Sequence, residues 1–263
     1  MRSCRTASIF AMGVVVAAMA VAACREALTT TIPPVTTASP DGAPLAAAVA
    51  EPPATAKLVD APAKLDAAVC ARTLVAVVKG KISALSETLG PGDVLVISNG
   101  EPFEITGTGT VLWAQTPIAS CSVQSRPAST KAVVSSAASP KLAWSGGTMT
   151  ARLDVQTPEL YLGRLEGSAS VAEHSHAGSW EILASIDAKG TFVVDGTPGS
   201  LGPRQIVMVP PGTKHAWKPD PGSTLVAVQM YVPPGPEQRF VALAAADKDA
   251  GATVKDAGAP DAR

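Results

Sequence analysis

Histidine is almost missing from this chain, with three in 263 residues. Aromatic residues are scarce as well, 4% of the total, and none stands between Phe10 and Phe103. A core must therefore be aliphatic and concentrated in the later part of the chain. Neither sign of charge dominates, because 21 Lys and Arg face 22 Asp and Glu for a net charge of −1. That balance leaves no basic footprint, so no nucleic-acid partner is expected. Long helical periodicity is lacking too, apart from an alanine-rich end near Val241, and this argues against a helical bundle. About 240 residues remain once a signal is set aside, enough for one large or two small domains, and much of the 46% hydrophobic content is alanine.

What is present begins with a targeting segment. Arg2 and Arg5 precede an apolar run from Ile9 to Ala23. The run is shorter than the ~20 residues of a spanning helix and ends in small residues, as a secretory signal does. Val21-Ala22-Ala23-Cys24 resembles the lipobox of bacterial lipoproteins, which implies removal of residues 1–23 and lipidation of Cys24. Arg25 follows, rather than the aspartate associated with inner-membrane retention. The expected location is thus the periplasmic face of the outer membrane, with the lipid anchor as the only membrane contact. Once Cys4 and Cys24 are set aside, Cys70 and Cys121 remain. In an oxidising compartment this pair is compatible with a disulfide or with two buried thiols.

Residues 24–63 are mostly Thr, Ala, Pro and Val, with seven prolines from Arg25 onward and no aromatic. Such a segment buries too little surface to offset its ordering entropy, so an extended, disordered tether is expected. Residues 246–263, rich in Asp, Lys, Gly and Ala, are expected to be disordered as well. Between them lie short apolar or alternating runs such as "GDVLVIS", "EILASID" and "STLVAVQMYV", punctuated by Gly, Pro, Asn and Asp. This pattern predicts an all-β sandwich, jelly roll or barrel. "SLGPRQIVMVPPGTKH" (Ser200 to His215) aligns without a gap on "TLGPGDVLVISNGEPF" (Thr88 to Phe103). "EILASIDAKG" from Glu181 aligns on "TLVAVVKGKI" from Thr73, and "TLVAVQ" on "TVLWAQ". Matches in the same order predict an internal duplication, with halves at 64–125 and 141–245 joined by a linker at 126–140.

All three histidines fall in the second half. His174 and His176 stand one residue apart in "HSHAGSWE", and His215 lies in "PPGTKHAW". On a strand, residues two apart project from one face, so His174 and His176 can converge on one ion. Glu181 has the wrong parity for the same unbroken strand, and Ala177-Gly178-Ser179 offers a break that lets it re-enter from a neighbouring strand. Pro210 and Gly212 turn the chain so that His215 faces the same interior. Three imidazoles and a carboxylate suit Fe, Mn, Ni, Cu or Zn far better than Ca or Mg. The expected cofactor is one divalent transition metal.

These residues resemble the two motifs of the cupin superfamily. His174, His176 and Glu181 match the His-x-His and Glu of the first, and Pro210, Gly212 and His215 match the Pro-x-Gly-x-x-His of the second. Ala188 and Arg204 stand where glycines are usual, and Pro219 where an asparagine is usual. The resemblance implies a cupin jelly-roll barrel, two units in tandem with the first degenerate. In that first half Thr73 takes the place of the glutamate and Phe103 that of the last histidine, while spacing puts Asp66 and Ala68 at the His-x-His positions. No ligand set survives there.

Four protein ligands on a six-coordinate ion leave two positions for water, substrate or dioxygen. The superfamily includes oxidases, dioxygenases, isomerases, lyases and binding proteins, so fold resemblance does not select among them. A metalloenzyme acting on a small organic molecule is expected, with a non-catalytic ligand- or metal-binding protein as the alternative. Strand parity makes Trp217, Gln229 and Tyr231 candidate pocket residues, the opposite parity turning Met230 inward instead. Arg164 is a candidate anchor for an anionic substrate. No further acid/base pair stands out, and both monomer and homodimer remain open.

Overall fold

The computed structural model describes residues 51–122, 124 and 128–256, with side chains through 249. The expected signal segment, Cys24, the expected tether up to residue 50 and the tail beyond 256 lie outside the described residues. The first half comprises β1 (Thr55–Asp60), β2 (Ala63–Leu65), β3 (Ala71–Ala84), β4 (Glu87–Leu89), β5 (Val94–Ser98), β6 (Phe103–Pro117) and β7 (Thr130–Val134). The second comprises β8 (Lys141–Trp144), β9 (Met149–Gln156), β10 (Tyr161–Gly167), β11 (Val171–His174), β12 (Trp180–Asp187) and β13 (Gly190–Val194). It continues through β14 (Thr197–Leu201), β15 (Ile206–Val209), β16 (His215–Pro219) and β17 (Leu225–Val232) to helix α1 (Gln238–Asp256). Every strand pairing among the described residues is antiparallel, which gives an all-β architecture of jelly-roll type.

Three expected boundaries need correction. The tether was expected to reach residue 63, yet β1 pairs with β6 from Thr55↔Gln115 to Asp60↔Thr110 and buries Ala56 and Leu58. Its alternating small and aliphatic residues match the strand period, and this outweighs the flanking prolines. The expected linker at 126–140 contains β7, which extends the sheet beyond β5. The expected disordered tail is helical through Asp256, because alanine favours helix and Phe240 and Ala244 bury one face of it.

The two halves share one pairing scheme. In the second, β15-β12-β17-β10 form one face and β11-β16-β13-β14 the other. In the first, β5-β3-β6-β1 and β2-β6-β3-β4 repeat both orders, with β3 and β6 long enough to serve both faces. A register shift falls at Val77/Lys79 in one and Ser185/Asp187 in the other. The Gly92 N–H donates to Val77 O at 2.7 Å, as that of Arg204 donates to Ser185 O at 2.9 Å. Arg204 adopts φ 61°, beside 87° at Gly92. The position demands a left-handed backbone, and here a non-glycine residue meets it. The Arg204 guanidinium then reaches across to both carboxylate oxygens of Asp60 at 3.0 Å.

Among the described residues, three clusters make up the core. One fills the first half, among Leu65, Leu95, Ile105 and Trp113, and a second fills the other half, among Leu183, Phe192, Trp217 and Tyr231. The third is a seam between the halves, where Leu74, Ala76 and Leu112 meet Leu162, Ile182, Val228 and Met230. Central strands are thus covered on both faces, which is why β5 reads as an unbroken apolar run. Polar clamps tie the rim of the seam. Arg72 reaches Glu159 at 3.0 Å. Burial raises the pKa of Glu159, but hydrogen bonds from Thr157 and Arg72 outweigh it and hold the carboxyl below its ordinary value. Cys70 and Cys121 form a disulfide, with Cα atoms 5.2 Å apart.

Candidate metal centre

The chain leaves β11 at His174, bends at Ala177 and Gly178, and enters β12 at Trp180. That bend moves Glu181 onto a neighbouring sheet, facing Val209 on one side and Tyr231 on the other. The first residue of β16, His215, lies directly opposite His174. Gly212, at φ 77°, makes the turn that aims it there, and its N–H donates to His176 O at 2.8 Å.

His174, His176, Glu181 and His215 each offer a ligand atom, and these atoms lie within 4.8 Å of one another. Glu181 Oε2 is 3.0 Å from His176 Nε2 and 2.9 Å from His215 Nε2. Two donors each about 2.1 Å from one ion at right angles stand about 3.0 Å apart, so the spacing fits adjacent ligands. The tautomers fit as well. His174 Nδ1 lies 2.8 Å from Ala172 O, and His215 Nδ1 lies 3.0 Å from Thr213 O. In the neutral rings each Nδ1–H donates to its carbonyl, leaving the Nε2 lone pairs to face the cluster. His215 Nε2 is buried and makes no hydrogen bond, since Glu181 is close but off the bonding axis. An orphaned, buried lone pair beside a carboxylate is the donor arrangement a divalent cation satisfies.

Glu181 is fully buried, and burial alone would raise its pKa. The hydrogen bond with His176 and the close approach of the His215 ring outweigh this, so the carboxyl stays ionised, well below its ordinary range. Gln229 Nε2 donates to Glu181 Oε1 at 2.7 Å, which keeps Oε2 turned toward the imidazoles. Burial pushes His174 down to about 4, partly countered by the Ala172 carbonyl.

A cavity of about 180 Å³ adjoins the cluster. Trp217, Gln229 and Tyr231 line it beside His174, Glu181 and His215. Met230 instead points into the seam, because β17 alternates between the two sides. Arg164 does not reach the cavity. It sits on the seam side of β10, paired with Asp154 at 2.9 and 3.0 Å. Its guanidinium lies against Gly92, where any β-carbon would collide with it. Sequence reasoning missed Arg239, Phe240 and Leu243 of α1, which close the cavity mouth, and Trp144, whose ring stacks on Phe240 at 5.4 Å. The spacing of Phe240 and Leu243, three apart on one helical face, was the available signal.

In the first half the register revises the expected equivalences. Leu65 pairs with Phe103 as His174 pairs with His215, so Leu65 and Ala67, rather than Asp66 and Ala68, take the His-x-His positions. Thr73 faces Gln115 as Glu181 faces Tyr231, a slide of two residues from the sequence alignment that leaves the faces unchanged. Leu65, Ala67 and Phe103 are buried among apolar neighbours.

No protein family and no curated protein matches the sequence. Among solved structures, a cupin 2 conserved barrel domain protein from Leptotrichia buccalis is similar at 17% identity, with TM-score 0.42, covering 68% of this chain and 80% of that one. A salicylate 1,2-dioxygenase from Pseudaminobacter salicylatoxidans has 12% identity and TM-score 0.47, over 68% of this chain and 70% of that one. An oxalate decarboxylase from Bacillus subtilis has 11% identity and TM-score 0.47, over 67% and 68%. None of these three reaches a TM-score of 0.5, so the fold rests on the strand pairing and not on them.

Proposed function

We propose that the chain is a two-unit cupin whose second unit holds one divalent transition metal on His174, His176, Glu181 and His215. In this reading it is a metalloenzyme acting on a small organic molecule, of oxidase or dioxygenase, lyase or isomerase type. The observation that carries the reading is the buried, unpartnered Nε2 of His215, beside Glu181 on the wall of a cavity. A divalent ion there would supply Lewis acidity toward a ligand oxygen. The chain's own residues supply the rest. Gln229 orients Glu181, the aromatic walls limit water, and Tyr231 presents a phenol to the cavity. Burial, and then the charge of Glu181, raise the Tyr231 pKa well above its ordinary value, so the phenol stays protonated as a donor. A non-catalytic binding protein is the second reading, and a purely apolar pocket would favour it. Gln229, Tyr231 and Arg239 on the lining support turnover instead. Reloading the purified chain with Mn, Fe, Ni, Cu or Zn and screening oxygen uptake and small-acid consumption tests the choice. Metal-dependent turnover is expected, and binding without turnover for every metal would select the second reading.

The proposal extends to location. The first 24 residues suggest export and lipidation at Cys24, and the Cys70–Cys121 disulfide is in keeping with an oxidising compartment. The full-length chain should fractionate with outer membranes in acylated form, and Cys24→Ser should release it without acyl chains. Acylation that persists in Cys24→Ser would refute the anchor.

A further inference from the structure

The cavity beside the metal cluster has a composition that the metal reading does not use. Its walls carry the rings of Trp144, Phe192, Trp217 and Phe240, and apart from the metal-binding residues its one charged lining residue is Arg239. Arg239 comes from the first turn of α1, is exposed to solvent at the cavity mouth, and its positive charge is felt at His174, His215 and Tyr231. Two buried groups on the same lining also lack protein partners, the Trp217 Nε1–H donor and the Gln229 Oε1 acceptor. A dry cavity of about 150 Å³ holds one benzene ring, and this one measures about 180 Å³. The size admits a single ring with one short substituent.

We infer that this cavity takes a single-ring aromatic monocarboxylate, its ring held among Trp144, Phe192, Trp217 and Phe240 and its carboxylate paired with Arg239. The inference deepens the reading of the cavity as a ligand site. The aromatic faces select a flat apolar body, and the guanidinium fork selects a carboxylate over a neutral group. Because Trp144 and Trp217 form the walls, their fluorescence reports occupancy. The test titrates the full chain, metal-loaded and chelator-treated, with benzoate, benzyl alcohol and acetate. Benzoate should saturate the signal and bind more tightly than either of the others. Arg239→Gln should weaken benzoate by roughly tenfold or more, as expected for a lost hydrogen bond to a charged group. The same variant should leave benzyl alcohol within twofold, and Arg239→Lys should restore part of the loss. Failure of benzoate to saturate at millimolar concentration, or unchanged benzoate affinity in Arg239→Gln, would overturn the inference. If one metal ion binds but benzoate does not, the metal reading stands and this one falls. If chelator-treated protein binds benzoate in an Arg239-dependent way, this one stands whatever the metal content.

Discussion

His215→Ala should leave the chain almost without metal. The residue offers a ligand from the deepest part of the cluster, with its side chain only 2% exposed, and among the described residues no fifth His, Cys, Asp or Glu joins the group. Loss of an outer-shell partner alone typically costs about 10–100-fold in metal affinity, and loss of a ligand should exceed that. Glu181→Gln keeps the shape but removes the charge, so retention should weaken less completely. Phe103→Ala, at the equivalent place in the first half, should cost packing and leave metal content unchanged. Acidification should act in the same direction as His215→Ala, because only a neutral imidazole donates its lone pair. Burial lowers the proton affinity of His215, but the Glu181 carboxylate 2.9 Å away outweighs it, so the metal-free ring titrates above its ordinary value. Affinity should therefore begin to fall above the usual histidine pKa of about 6.5, by up to about tenfold per pH unit. His174, held down to about 4, should add its own proton competition only in stronger acid. Equilibrium dialysis against a buffered metal across this range reads both effects.

Met230→Ala should lower stability by about 2–5 kcal/mol, the cost of emptying a buried methionine site whose surroundings only partly relax. Met230 is fully buried in the seam between the halves, packed with Leu162, Ile182 and the strands opposite. Its neighbours Gln229 and Tyr231 face the cavity. The account thus expects a large shift in the urea midpoint with metal stoichiometry unchanged. Loss of metal in a folded Met230→Ala protein would show that β17 has the opposite facing, and a shift below about 1 kcal/mol would show that the seam is not a packed core.

The His-Glu cluster was legible because each of its two motifs is local, even though the β11–β16 pairing that joins them is not. A His-x-His pair is readable from strand period alone, and the break at Ala177-Gly178 is visible as small residues. The jelly roll was legible from turn chemistry and repetition, and the pairing scheme of the two halves agrees with it. What escaped depends on contacts distant in sequence. Arg164 carries a charge suited to an anion, but its face is set by β10 alternation, and its partner Asp154 stands on β9. Composition around β1 resembles the Pro-, Thr- and Ala-rich sequence before it, and only pairing with β6 makes it a strand. Arg239 reaches the cavity because α1 packs over β8 through Trp144 and Phe240, a docking no local pattern encodes. In the first half a one-residue error in register separates Asp66 from Leu65, and on a strand one residue is the difference between outside and inside.

The central claim is that the three imidazoles and Glu181 hold one ion together. The most direct measurement is X-ray absorption at the metal edge, on full-length protein loaded with a single equivalent and its stoichiometry fixed by elemental analysis. The account predicts one ion per chain, with outer-shell scattering from three imidazole rings that drops by one ring in His174→Ala. A chain that binds no divalent transition metal, or an ion whose shell contains no imidazole, would contradict it.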